Sequence, residues 1–138
     1  SRPTKDKTAE FFEVCKSLAD YVFLDCTSSL DDPLSVYGMA AADKAVQLVT
    51  PDIRSAAYYA SFEKTYEQIK GKSIGVINIT DKDLYLPVGE VKAGFSNAKY
   101  ILPYSMYLKQ QYITGELPQK IPDQKFSAVC RGIAGAVL

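Results

Sequence analysis

Apolar residues recur at intervals of three and four along most of the chain, and capping signals bracket the clearest run. Thr50 is placed to cap a helix, with Pro51 at its first position and Asp52 at the positive end of its dipole. Gly71 supplies a stop. Between them Ile53, Ala56, Ala57 and Ala60 form one apolar face, and Tyr59, Phe62, Tyr66 and Ile69 form another. A helix apolar on two sides is packed on two sides, which predicts the central helix of a bundle over 51–70.

Three further segments carry the same period. From Lys7, residues Phe11, Val14, Cys15, Leu18, Val22 and Cys26 predict a helix over about 7–29. Asp32 and Pro33 then open a second helix over 33–49, with Gly38, Ala41, Ala45 and Leu48 along one stripe that allows close approach of a neighbour. Ser96 opens a third over 96–114, ended by Gly115 and kinked at Pro103, with Tyr100, Tyr104 and Tyr107 sharing a stripe. Asp123 caps a short C-terminal helix bearing Phe126, Val129, Cys130, Ile133 and Val137.

The stretch at about 72–90 changes character. SIGVINIT and DLYLPVG are short apolar runs joined by Asp81 and Lys82, so they predict either a short β-hairpin or an extended irregular connector. Pro87 would confine the second run to an edge.

The pattern therefore predicts a mostly α fold: one helical domain over 1–138, built as an up-down four-helix bundle. Residues 1–6 form a polar N-terminal arm, and residues 115–138 a linker followed by a C-terminal docking segment.

Composition narrows the function more than it identifies one. Sixteen basic and sixteen acidic residues cancel, so the one-signed surface that a phosphate backbone needs is missing and no nucleic acid is expected as partner. The chain has no histidine, which removes His-based triads and His-ligated metals; no metal site is expected. No run approaches the roughly 18 apolar residues of a membrane span, although peripheral association with a membrane complex is compatible with the sequence.

The short motifs explain themselves structurally. Asp81-Lys82-Asp83 begins like a calcium loop but places Leu86 where that loop needs Gly and Lys92 where it needs Glu. Asp31-Asp32 is a carboxylate pair accounted for by capping, and GKSIG at 71–75 matches neither nucleotide-binding fingerprint.

Two features remain. Cys15, Cys26 and Cys130 are the candidate nucleophiles or attachment points, and Arg131 beside Cys130 could lower its thiol pKa. Within one helix Cys15 and Cys26 would lie about 16 Å apart, so any disulfide should include Cys130. The second feature is an excess of tyrosine, ten residues, suited to contact surfaces. Tyr100, Tyr104 and Tyr107, with the C-terminal Phe126, Ile133, Val137 and Leu138, are the expected interaction residues.

The function expected is a non-enzymatic accessory, linker or extrinsic subunit that docks onto a larger protein complex through these surfaces. Two alternatives stand beside it: a helical carrier of an apolar ligand or of a chromophore attached at one cysteine, and an enzyme using an unlocated cysteine or carboxylate site. The two prolines at 118–122 would let the tail reach a partner, so removing residues 132–138 is expected to leave the isolated domain's melting almost unchanged.

Overall fold

The computed structural model describes residues 5–28, 31–83, 87–95, 97–116 and 120–138. Its architecture is α/β and overturns the expected four-helix bundle: among the described residues seven helices accompany a three-stranded parallel sheet. Packing divides the chain into two compact units, residues 1–45 and 46–138.

The first unit holds helices α1 (Lys5–Leu18) and α2 (Pro33–Ala41). Helix α1 stops at Leu18, well short of residue 29. The following Tyr21-Val22-Phe23-Leu24 is apolar on every side and includes two aromatics and a β-branched residue, types that lose side-chain freedom in a helix. It adopts no regular structure. The Asp32 carboxylate caps α2 as expected, accepting from the Ser35 N–H at 3.0 Å. The Ser35 hydroxyl accepts in turn from the Thr27 N–H at 2.9 Å, fastening the loop to the helix. Gly38 is the point of close approach: a Cβ there would lie 3.0 Å from Leu24 Cδ1 and 3.4 Å from Phe12 Cζ.

From β1 (Ala45–Val49), whose first residue is the last of the first unit, the second unit runs through α3 (Ile53–Ser61), α4 (Glu63–Glu67), a 3-10 turn (Lys70–Lys72), β2 (Ser73–Asn78), α5 (Val88–Gly94), β3 (Ala98–Leu102), α6 (Met106–Thr114) and α7 (Gln124–Val137). Strand β1 occupies what was expected to be the end of the 33–49 helix. Its Ala45, Gln47 and Val49 alternate with Val46 and Leu48, a period of two that wins once Ala42 turns extended at φ −65, ψ 142. The expected helix over 51–70 is likewise divided, because Phe62 leaves the helical region at φ −115, ψ 14. Gly71 falls within the 3-10 turn instead of making a left-handed cap.

The cap of α3 also moves. Asp52, not Thr50, accepts from the Ser55 N–H at 2.8 Å, and the Thr50 hydroxyl donates to the same carboxylate. The Thr50 hydroxyl bond, and after it the Ser55 N–H, hold the Asp52 carboxyl below the usual carboxylate range. Its folded pKa is thus lower than its unfolded one. The cap's ionic contribution is complete above about pH 4 and disappears as pH falls through the lower folded value. Replacing Asp52 by Ala is expected to cost about 0.5–2 kcal/mol, and by Asn far less. Thermal melts from pH 5 to pH 2 should show the Asn variant losing less stability than the parent; parallel curves would contradict this account.

Strand β2 is the centre of the sheet, whose order is β1-β2-β3. It pairs in parallel with β3, with Val76 opposite Tyr100, Ile77 opposite Ile101 and Asn78 opposite Leu102. Parallel pairing needs a crossover, which the segment carrying α5 supplies. The hairpin alternative for 72–90 is therefore overturned: the partner of SIGVIN lies beyond α5. Residues 84–86 of the expected second run lie outside the described residues.

Strand β3 replaces the start of the expected 96–114 helix, and Pro103 separates it from α6 instead of kinking one long helix. The expected cap Ser96 lies outside the described residues. Gly115 ends α6 in the left-handed region at φ 73. Helix α7 begins where the sequence puts it, with the Asp123 carboxylate accepting from the Phe126 N–H at 3.0 Å.

Alternation along the strands sends side chains to two cores. Val49, Ile77, Val91 and Phe95 cluster on one face beneath α3 and α5, joined by Tyr59. Val76, Leu102 and Phe126 cluster on the other face beneath α7. Helix–sheet–helix layering follows in the second unit, as parallel sheets require.

Candidate functional site

Over the first face, between α3, α4 and α5, lies an open groove of about 240 Å³. Val49, Tyr59, Val91 and Phe95 make its apolar floor, with Glu63 and Glu90 at its lining as the charged groups. The room comes from small residues: Ala56 and Ala60 face it from α3 and Gly94 from α5. The Tyr59 ring meets Phe95 edge-on at 4.6 Å and stacks on Tyr66 at 5.5 Å. Burial, reinforced by neighbouring Tyr58, pushes the Tyr66 hydroxyl up to about 12, so the Tyr66 ring is neutral contact surface at physiological pH. The Tyr59/Tyr66 and Ala56/Ala60 stripes were visible in the sequence. What they enclose was not, because α5 was not anticipated.

A smaller recess nearby is structural. Asn97 Nδ2 donates to the Ser73 carbonyl at 3.0 Å and to the Ser73 hydroxyl at 2.5 Å, tying the entry of β3 to the start of β2.

The expected interaction residues do not form one surface. Tyr100 lies in β3, Tyr104 in the following loop and Tyr107 in α6. The Tyr100 hydroxyl donates to the Gly132 carbonyl at 3.0 Å, holding α7 to the sheet. Lys82 Nζ sits 5.7 Å from the centre of the Tyr104 ring, while Tyr107 is exposed. In the tail, Phe126 is buried in the second core and Ile133 packs against it. Val137 is half-buried and Leu138 exposed. The burial that holds α7 comes from the chain's own sheet.

Cys15, Cys26 and Cys130 are half-buried free thiols. Burial pushes Cys26 up, offset in part by its bond with Ser35. Burial also pushes Cys130 up, against the lowering charge of Arg131. Desolvation thus outweighs the neighbouring cation that made Cys130 a candidate nucleophile. Alkylation by iodoacetamide at pH 7.5 should be slower at Cys26 and Cys130 than for a free thiol, and its rate should still be climbing at a pH where that of a free thiol has levelled off. Fast labelling of either at neutral pH would show an activated thiolate.

Asp32 is absorbed by its cap, and no group of three or more potential metal ligands occurs among the described residues. No described helix is long and apolar enough to cross a membrane. Comparison with family models, curated proteins and solved structures finds no match.

Proposed function

We propose that the chain is an accessory subunit that docks onto a larger protein assembly and acts by binding. The observation that supports this reading is large apolar surface left open on each unit. In the first unit Leu18 and Phe23 are each 79% exposed, and Tyr21 and Val22 between them are exposed as well. In the second unit, alternation from buried Val49 directs Val46 and Leu48 to the sheet face that α7 covers over β2 and β3. There they stand 44% and 63% exposed on the outer strand β1. Parallel sheets are covered on both faces, and contiguous exposed apolar groups mark interaction surfaces. Covering each such side chain would contribute about 1.5–3 kcal/mol.

The docking surface in this reading differs from the stripe read from sequence. Each unit offers its own: the Leu18–Leu24 segment on the first, and on the second the β1 face, with Tyr107 and Leu138 as further exposed residues, while Phe126 and Ile133 serve the chain's own core.

The purified 138-residue chain is expected to bind an environment-sensitive apolar dye and to associate as its concentration rises. Phe23→Lys and Leu48→Lys should each reduce both signals without lowering the melting temperature. A monodisperse monomer at tens of micromolar that binds no dye would overturn the proposal.

A further inference from the structure

The groove over the first face differs from the open apolar surfaces just described in carrying charge of one sign. Its floor of Val49, Tyr59, Val91 and Phe95 is apolar and partly aromatic, while the two ionisable acids that line it are Glu63 and Glu90. Both carboxylate-bearing residues are exposed, and neither pairs with a cation among the described residues. At about 240 Å³ the space is smaller than the roughly 300–1,000 Å³ of small-molecule sites. It suits a single long side chain.

We infer that this groove is the anchor pocket for one basic side chain, arginine or lysine, of the docking partner; the inference rests on the docking reading above. Charge complementarity selects the occupant. Such a side chain offers an apolar stem for the floor and a cationic head for the carboxylates, the division that amphipathic basic residues make at boundaries between apolar and wet surface. The half-buried Tyr59 ring adds aromatic surface, which attracts a cation, most strongly a planar guanidinium. Buried anchors of this kind, arginine among the commonest, carry a disproportionate share of interface energy.

The test uses the intact chain and two probes of one shape, benzamidine, which is cationic, and benzamide, which is neutral. Titration followed by amide NMR should show benzamidine shifting signals of residues 56–60 and 91–95, with an affinity about tenfold above benzamide, the scale set by two solvent-exposed carboxylate contacts. The double variant Glu63→Gln/Glu90→Gln should melt as the parent does and bind both probes equally. Equal binding of the two probes by the parent chain, shifts located elsewhere, or no shifts at all would each overturn the inference without reference to any variant. Equal binding of the two probes by a parent chain that still associates overturns the anchor and leaves docking standing. A dispersed monomer with no dye binding overturns both.

Discussion

Replacing Phe126 by Ala is expected to destabilise the second unit by about 3–5 kcal/mol, the usual cost of removing a buried aromatic ring. Phe126 is the contact through which α7 closes the second core, between Val76 on β2 and Leu102 on β3. The loss is a large fraction of the 5–15 kcal/mol that holds a typical domain together. Deleting residues 132–138 should also lower the melting temperature, because it removes Ile133 and the Gly132 carbonyl that receives the Tyr100 hydroxyl. Urea unfolding checks both. A truncated chain that unfolds at the parental midpoint would mean that α7 is held by a partner, the outcome expected from the sequence alone.

Substituting Ala for Gly75 should cost about 3 kcal/mol although it adds one methyl group. A Cβ at that position would lie 2.5 Å from the Asn97 carbonyl oxygen and 2.8 Å from the Ala98 nitrogen, which are backbone atoms. The Gly75 N–H donates to the same carbonyl at 2.8 Å, so moving the strand away breaks the bond that starts the β2–β3 pairing. Gly89 in α5 is the control, since a Cβ there meets nothing within 4 Å. Gly89→Ala should be neutral or stabilise by up to about 1 kcal/mol through helix propensity. If Gly75→Ala unfolds at the parental midpoint, the close approach of the two strands is not as described.

Local signals proved legible wherever a single residue decides a local geometry. Asp32 with Pro33, Asp123 and Gly115 all mark helix ends by chemistry confined to one turn. The sheet was not legible, for a physical reason. Strands of five or six residues span too few positions to separate a period of two from a period of 3.6, and Ala45 and Leu48 fit a helical stripe while facing opposite sides of β1. SIGVIN reads either as one strand of a hairpin, whose partner would be next door, or as part of an irregular connector. In fact Gly75 pairs with Ala98, across a whole crossover. Tyr100, Tyr104 and Tyr107 went astray with the same error, since their shared stripe existed only if 96–114 were one helix. The groove was hidden in turn, because it forms where α3 and α5 meet above strands that local spacing does not reveal. Helix content offered no warning: at 56% helix and 13% strand among the described residues, the observed mixture is close to what a bundle with a short hairpin would show.

The pairing of β2 with β3 also sets an order of events for a newly made chain. Neither of the central strand's neighbours is adjacent to it in sequence: β1 lies across α3 and α4, and β3 across α5. Each pairing must close a long loop before any bond rewards it, which slows folding relative to helical contacts of short range. Until both loops close, Ser73–Ile77, every residue of which ends up buried, is an unpaired apolar ribbon with no charge along it. Such a segment is the natural point of entanglement between chains while they are still folding. Yield on refolding should therefore fall with concentration more steeply than the stability of the finished fold would suggest.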